Sequence, residues 1–529
     1  MNTKIILLVV VLGVIYFFGT KIYASTAGSN SSQKYINGIR SIGKSDVVKF
    51  KFSSEWVYVP GTPVANWAIN LQDGIKFQMN NYAINLANLG NGEKEGILYN
   101  RLIAEKDGFI FLGAGADWWF EVCVNGEVAY TTFPVGNNTN DFSYLNHSFV
   151  VPVKKGENLL AVKVKGGACG YFFTINEFPC DKIKFPFVDY KAYNAPELSD
   201  KDSWTMVMIP DTQSYVKFSR NHGACDTMFS FIAENIDKLK IQQVIHVGDL
   251  VEQNRSLKTG FFGNQTAPQQ WQAISDMFKR FDNKVPYIIT TGNHDLGDVS
   301  SEDRQSELGK YFPIDRNSKW QDCLREVGVD GLGNKTLENA VYEFTTPNGQ
   351  KILIVAIGFA PTDATLKWAK DIFDSPKYQK HFGIIVTHGY LHNIYEKQRI
   401  QEEDYQINKE GGNAGEAIWQ KLVKVTPNIR MVLCGHVAGE NDWQKHVNYQ
   451  VSTNDAGKKV HEILFNAQAL GGGWYGNGGD GWIRLMEFDK EMKKIKVRTF
   501  SPLFAISPLT WHLAWEDSEF NNFIINLED

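Results

Sequence analysis

Five short apolar runs between residues 205 and 440 each stop on a carboxylate, an amide or an imidazole. Thr205 to Pro210 leads into Asp211-Thr212-Gln213, and Gln243 to Val247 into Gly248-Asp249. Tyr287 to Thr290 leads into Thr291-Gly292-Asn293-His294-Asp295, Gly383 to Thr387 ends at His388, and Arg430 to Cys434 leads into Gly435-His436-Val437-Ala438. In α/β sheets ligands bind beyond the carboxyl ends of the strands, so side chains spread over about 225 positions can converge there. Helix-like segments lie between the runs: Asp226 to Leu239, Gln269 to Phe281, Leu366 to Phe373 and Glu416 to Val423. That alternation predicts a layered α/β domain built on a largely central sheet. Oxygen and imidazole donors together suit a borderline divalent metal. Each residue alone has a plainer reading. His388 would be a satisfied buried histidine, Gly248-Asp249 a turn, and Asp211 a cap. All five, each after an apolar strand, read as a metal site.

The first part of the chain has a different grammar. Phe120, Val122 and Val124 alternate with Glu121 and Cys123, then Asn125-Gly126 precedes Val128 and Tyr130. Asn-Gly between alternating runs is a hairpin signal, because a type I′ turn needs positive φ at both positions. Leu160, Val162 and Val164 alternate in the same way after Lys155-Gly156-Glu157. Short strands with regular turns predict an all-β sandwich over residues 44–190. Ala116-Asp117-Trp118-Trp119 through Asn125-Gly126, with Val153 to Asn158, resembles the jelly-roll accessory domains of secreted carbohydrate-active enzymes. An exposed Trp118 or Trp119 would stack on a sugar ring; the plainer reading packs both indoles within the protein.

Lys4 followed by the apolar run Ile5 to Phe18, with Ala24 downstream, reads as a signal peptide over residues 1–24. The alternative is an uncleaved anchor holding the protein to the membrane. Either reading makes the mature chain secreted, periplasmic or displayed at the cell surface. Residues 25–43 read as a tether, 191–203 as a linker, 204–515 as the α/β domain and 516–529 as a tail. With 54 basic and 59 acidic residues and no basic stripe, nucleic acid is not an expected partner. Six cysteines in 529 residues are no disulfide scaffold. Cys169 with Cys180, and Cys225 with Cys323, are the pairs that proximity in the sequence or beside the motifs suggests. The glycine-rich stretch 471–479 lacks the Gly-Lys-Ser/Thr of a P-loop.

The order of the five motifs resembles the calcineurin-like metallophosphoesterase family over about residues 205 to 505, in particular a secreted subgroup whose first motif reads Asp-Thr-Gln. Asn466-Ala467-Gln468, Gly481 to Leu485 and Val497-Arg498-Thr499 fit the same pattern. The resemblance implies a four-layer α/β/β/α sandwich preceded by the all-β, jelly-roll-like domain. It implies two divalent ions (Mn, Zn or Fe). One would be held by Asp249, Asn293, His388 and His436, the other by Asp211, the shared Asp249 and the Gln213 amide. Gln213 and Ala438 stand where the family has histidines, so the first metal site is weakened or takes a harder metal. Glu440 or Asn441 would be the nearest substitutes. The implied chemistry is hydrolysis of a phosphate mono- or diester by a metal-bound hydroxide, with His294 assisting the leaving group and Asp295 orienting it. Tyr215, Arg255 and His392 follow the motifs closely and are candidates for the pocket, Arg255 as a fork for phosphate. The rival reading is a catalytically weakened one-metal or metal-free domain in a glycan-binding surface protein.

Overall fold

The computed structural model describes residues 48–61, 74–79, 83–89, 94–117, 119–133, 146–167, 171–177, 194–259, 263–439, 442–506 and 513–528. The signal and tether expectations, Trp118, Cys169, Cys180, Glu440 and Asn441 lie outside these residues. The chain forms two compact units. The first is residues 1–195 with 471–480 and 503–514; the second is residues 196–470 with 481–502 and 515–529.

The first unit holds two antiparallel sheets. One contains Ile75–Phe77, Trp56–Pro60, Glu95–Ala104, Gly156–Lys165, Trp119–Val124 and Glu127–Thr131, with Phe50–Phe52 also paired to Glu95–Ala104. The other orders Ala83–Asn85, Phe172–Glu177, Gly108–Ala116 and His147–Val153. The Asn125-Gly126 hairpin forms as the pattern requires, with φ 53° and 88° at the two turn residues. Phe120, Val122 and Val124 face the main core beside Ile110, Leu112 and Phe173. The opposite face is not simply solvated: Cys123 and Ala161, on the polar side of the alternation, are buried with Val57, Ile97 and Tyr99. Strict alternation misses this because Cys and Ala fit a covered second face as readily as a solvated one. Trp119 lies under Lys165 Nζ, 5.7 Å from the ring centroid.

The second unit has four layers. Its first sheet runs Tyr287–Ile288, Ile241–His246, Trp204–Ile209, Ile483–Phe488, Lys494–Phe500 and Trp515–Glu516, with Asn522–Asn526 added on Lys494–Phe500. Its second runs Leu324–Val329, Lys335–Thr345, Lys351–Ala356, Phe382–Val386, Ile429–Cys434, Lys459–Phe465 and Val447–Thr453. The sheets meet through Trp204, which packs edge-on against Phe344 at 5.9 Å, and Arg484, whose guanidinium lies 4.2 Å over Phe465. Helices His222–Glu234 and Ala267–Phe278 cover one outer face, Phe229 against Phe278 and Phe231 against Phe500. Helix Asp363–Asp374 and the segment Gly415–Ile418 continuing into Trp419–Val423 bury Leu366, Phe373, Ile418 and Leu422 on the other. The single central sheet read from the alternation is thus two sheets, as the family pattern implies. Single-sequence alternation cannot tell which parallel strands share a sheet. The Thr266-x-x-Gln269 capping box starts the second helix at Ala267, two residues before the run read from the sequence.

Cys123, Cys225, Cys323 and Cys434 are free, buried thiols, so the Cys225–Cys323 pairing does not form. Among the described residues no helix is long and apolar enough to cross a membrane.

Arg484 is fully buried and donates to Leu464 O, Phe520 O, Thr499 Oγ1 and Asn521 Oδ1, the last at 2.6 Å. Burial pulls its guanidinium down to about 9. Replacing Arg484 by Ala leaves these acceptors unpaired and opens a cavity between the sheets. The expected cost is about 3 kcal/mol, read as a lower urea midpoint.

Candidate metal centre

Each motif residue leaves a strand of the second unit at its carboxyl end. Asp211 follows Trp204–Ile209, Asp249 follows Ile241–His246, Asn293 follows Tyr287–Ile288, His388 follows Phe382–Val386 and His436 follows Ile429–Cys434. The loops are locked by backbone bonds. Thr212 N–H and Gln213 N–H both donate to Asp249 O, at 3.0 and 3.1 Å. Thr212 Oγ1 donates to Leu250 O and accepts from His246 Nε2, while Gly248 N–H donates to His246 Nδ1. His246 is therefore neutral, held down to about 3 by burial and the neighbouring His388.

Two glycines are required here. Gly248 has φ +100°, and a Cβ on it would lie 2.8 Å from His388 Nδ1. Gly292 has ordinary φ, but a Cβ there would sit 2.1 Å from Asp249 Oδ1. Asp249 itself has φ 53° and His436 φ 77°, sparsely populated for side chains other than glycine.

Asp249, His388 and His436 bring one ligand atom each within 4.8 Å of one another. His388 Nδ1 is 2.9 Å from Val247 O, so it carries the proton and Nε2 carries the lone pair. That nitrogen lies 3.1 Å from Asp249 Oδ2 and 3.2 Å from Asn293 Oδ1. Asn293 Nδ2 donates to Ser300 Oγ at 3.0 Å, which turns Oδ1 inward. His436 Nδ1 is 2.9 Å from Asn293 Oδ1 and 3.3 Å from His388 Nε2. Its Nε2 is 3.1 Å from Glu403 Oε1. Four electron-pair donors therefore converge with their own N–H groups directed outward. A divalent cation is what such a nest fits.

Asp211 and Gln213 are arranged differently. Asp211 Oδ2 accepts from His436 N–H at 3.0 Å and Asn466 Nδ2 at 2.8 Å. Gln213 Nε2 donates to Asp249 Oδ2 at 2.8 Å. Asp211 Oδ1 and Gln213 Oε1 are buried without a hydrogen-bond partner. Ala438 brings no donor. What this position offers a cation is oxygen only.

The electrostatics follow from burial. Asp249 is desolvated, yet His388, His294 and His436 outweigh that and hold its carboxylate well below the usual range. Asp211 is pushed well up by burial and by the Asp249 charge. Asp295 is pushed up to about 7 by burial and Asp249, against N–H bonds from Gly292, Leu250 and Val251. Those three N–H groups make Asp295 a tie between two loops. The His294 ring is oriented instead by Glu252 O, 2.8 Å from Nδ1. Nδ1–H therefore donates to that carbonyl, which leaves Nε2 for chemistry. Burial opposes protonation of His294, but Asp249 and Glu252 carry it above the ordinary imidazole range.

The three pocket candidates do not join the cluster. The Arg255 fork is taken by Asp298, Asp303 and Gln305. Tyr215 is buried and its hydroxyl accepts from Gly481 N–H. His392 pairs with Glu396 at 3.4 Å. Conversely, Glu403 and Asn466 enter the site without having been singled out in the sequence for that role. Asn466 carried a signal, since it too follows an apolar strand, Lys459–Phe465. Glu403 lies in an acidic loop segment with none.

The second unit is a four-layer sandwich with carboxylate, amide and imidazole side chains at its strand ends. Residues 207–440 match the calcineurin-like phosphoesterase family and form a domain of that family. The uncharacterized protein YvnB of Bacillus subtilis (strain 168) is 27% identical over 308 residues, 57% of this chain and 20% of that protein. The chain therefore spans about a fifth of that curated relative's length. Among solved structures, GAP50, the anchor in the inner membrane complex of Plasmodium, is similar at 10% identity with a TM-score of 0.30 over 62% of this chain and 90% of that one. A β-glucuronidase of Faecalibacterium prausnitzii aligns at 12% identity with a TM-score of 0.16 over 22% of this chain and 21% of that one.

Gly248→Ala is expected to cost about 1–3 kcal/mol and to displace His388. Metal content of the purified variant, measured beside its unfolding midpoint, checks both effects.

Proposed function

We propose that this chain is an exported metal-dependent phosphoric ester hydrolase acting on phosphate mono- or diesters. The observation that carries the reading is the convergence of Asp249 Oδ2, Asn293 Oδ1, His388 Nε2 and His436 Nδ1, with the N–H groups of His388, Asn293 and His436 turned away. A divalent cation held by these four would supply charge to phosphoryl oxygens and lower the pKa of water. Gln213 donates to the Asp249 carboxylate and holds it in place. His294, with Nδ1 fixed on Glu252 O, presents Nε2 to give a proton to the departing oxygen. Asp295 braces the two loops that carry Asp249 and His294. The domain's family match over 207–440 supports the reaction class. The apolar run from Ile5 to Phe18 supports export.

Asp249→Ala and His436→Ala are expected to lower metal-dependent hydrolysis of an aryl phosphate by about a hundredfold or more, ~3 kcal/mol of barrier. Unchanged turnover in a folded variant overturns the reading. His294→Gln should slow alkyl phosphates much more than p-nitrophenyl phosphate, whose leaving group needs no proton; equal losses on both would remove His294 from that role. In metal titrations the imidazole-containing site should fill tightly with zinc or manganese. The oxygen-only position at Asp211 and Gln213 should fill weakly and prefer magnesium or manganese to zinc. Two equally tight zinc equivalents contradict this assignment.

A further inference from the structure

The two imidazoles of the cluster are oriented by different outer partners. His388, fully buried, gives its outer proton to the neutral carbonyl Val247 O. His436 sits at the rim, with its side chain 14% exposed, and its Nε2 faces the Glu403 carboxylate at 3.1 Å. The backbone of His436 is at φ 77°, so the chain alone does not favour the placement. It is held by N–H donation to Asp211 Oδ2. The ring would still be free to choose its tautomer. With Nδ1 aimed at Asn293 Oδ1, a proton on Nδ1 would bond to that oxygen and withdraw the lone pair from the cluster. A carboxylate at Nε2 draws the proton to the outer nitrogen.

The same segment meets the His436 ring a second time. Tyr405, two residues beyond Glu403, stacks edge-on against Phe359 at 5.3 Å and lies 6.2 Å from the His436 ring. Phe359 in turn lies 5.5 Å from His436 and 5.8 Å from His388. On the other side of the cluster, Ser300 Oγ accepts from Asn293 Nδ2. Residues 403–405 thus meet His436 twice, through the Glu403 carboxylate and the Tyr405 ring. Glu402 and Asp404, the flanking acids, are exposed.

We infer that Glu403 is a positioning residue for the metal: its carboxylate holds the His436 proton on Nε2, turns Nδ1 to the cation and raises the affinity of the site. This rests on the metal centre proposed above. Carboxylate–histidine–metal arrangements of this kind change metal affinity by about 10–100-fold when the carboxylate is lost.

The test uses the full purified chain, stripped with chelator and titrated with Mn²⁺ against a chromophoric competitor. Glu403→Ala is expected to bind Mn²⁺ about 10–100-fold more weakly. Glu403→Gln, whose amide oxygen still accepts from Nε2, should recover part of that loss. Glu402→Gln should bind as the unaltered chain does. The unfolding midpoint of the stripped Glu403→Gln protein should be unchanged, which separates positioning from folding. If Glu403→Ala and Glu403→Gln both bind Mn²⁺ as tightly as the unaltered chain while His436→Ala does not, Glu403 has no such role and the metal centre stands. If the unaltered chain binds no Mn²⁺, the metal centre itself falls and this inference with it.

Discussion

One buried carboxylate organises the second unit of this protein. Asp249 is 1% exposed and sits at φ 53°. Its Oδ1 takes the His294 N–H, its Oδ2 takes the Gln213 amide and faces His388 Nε2, and its backbone oxygen takes two more N–H groups. A charge removed from water is costly unless its oxygens are occupied. Here the occupants come from three separate loops, so satisfying the charge is the same event as assembling the site. The strained backbone at Asp249 and His436 is held by that network, with Gly248 and Gly292 giving the close approach it needs.

Around this carboxylate the side chains divide by what they do with protons. Donors that would compete with a cation are directed outward: His388 Nδ1 to Val247 O, Asn293 Nδ2 to Ser300, His436 Nε2 to Glu403. What remains inside are lone pairs. The Asp211 side differs, because Gln213 turns its amide nitrogen inward and Ala438 contributes nothing. The two sets of side chains thus differ in chemistry: mixed imidazole and oxygen donors on one side, oxygen alone on the other.

The motif residues were legible because each follows an apolar strand at the carboxyl end, and parallel strands put those ends together. Asp249, Asn293, His388 and His436 could be named from that pattern. Glu403 could not. Its contact with His436 depends on how the loop between Leu391 and Gln406 returns to the carboxyl end of Ile429–Cys434, and an acidic residue in an acidic stretch carries no local signal. The roles of Asp295 and Arg255 show the same limit. Sequence adjacency suggests that Asp295 orients His294, but the fold gives that task to a backbone carbonyl, Glu252 O. The Arg255 fork suits phosphate by type, yet it is engaged by Asp298, Asp303 and Gln305 from a loop 43 to 50 residues on.

Local chemistry by itself determined the Asn125-Gly126 hairpin, the capped helix after Thr266 and the identity of the strand-end donors, because turn φ, caps and apolar runs are properties of a few neighbouring residues. Tertiary structure alone decided that the strands fall into two sheets, that Cys123 and Ala161 lie on a covered face, and which nitrogen of each imidazole is free. Those outcomes depend on partners far away in the chain. Val247 is 141 residues from His388, and Asp211 is 225 from His436. No local pattern records which distant oxygen will take a proton, and that choice turns a set of ligand-type residues into a cation nest.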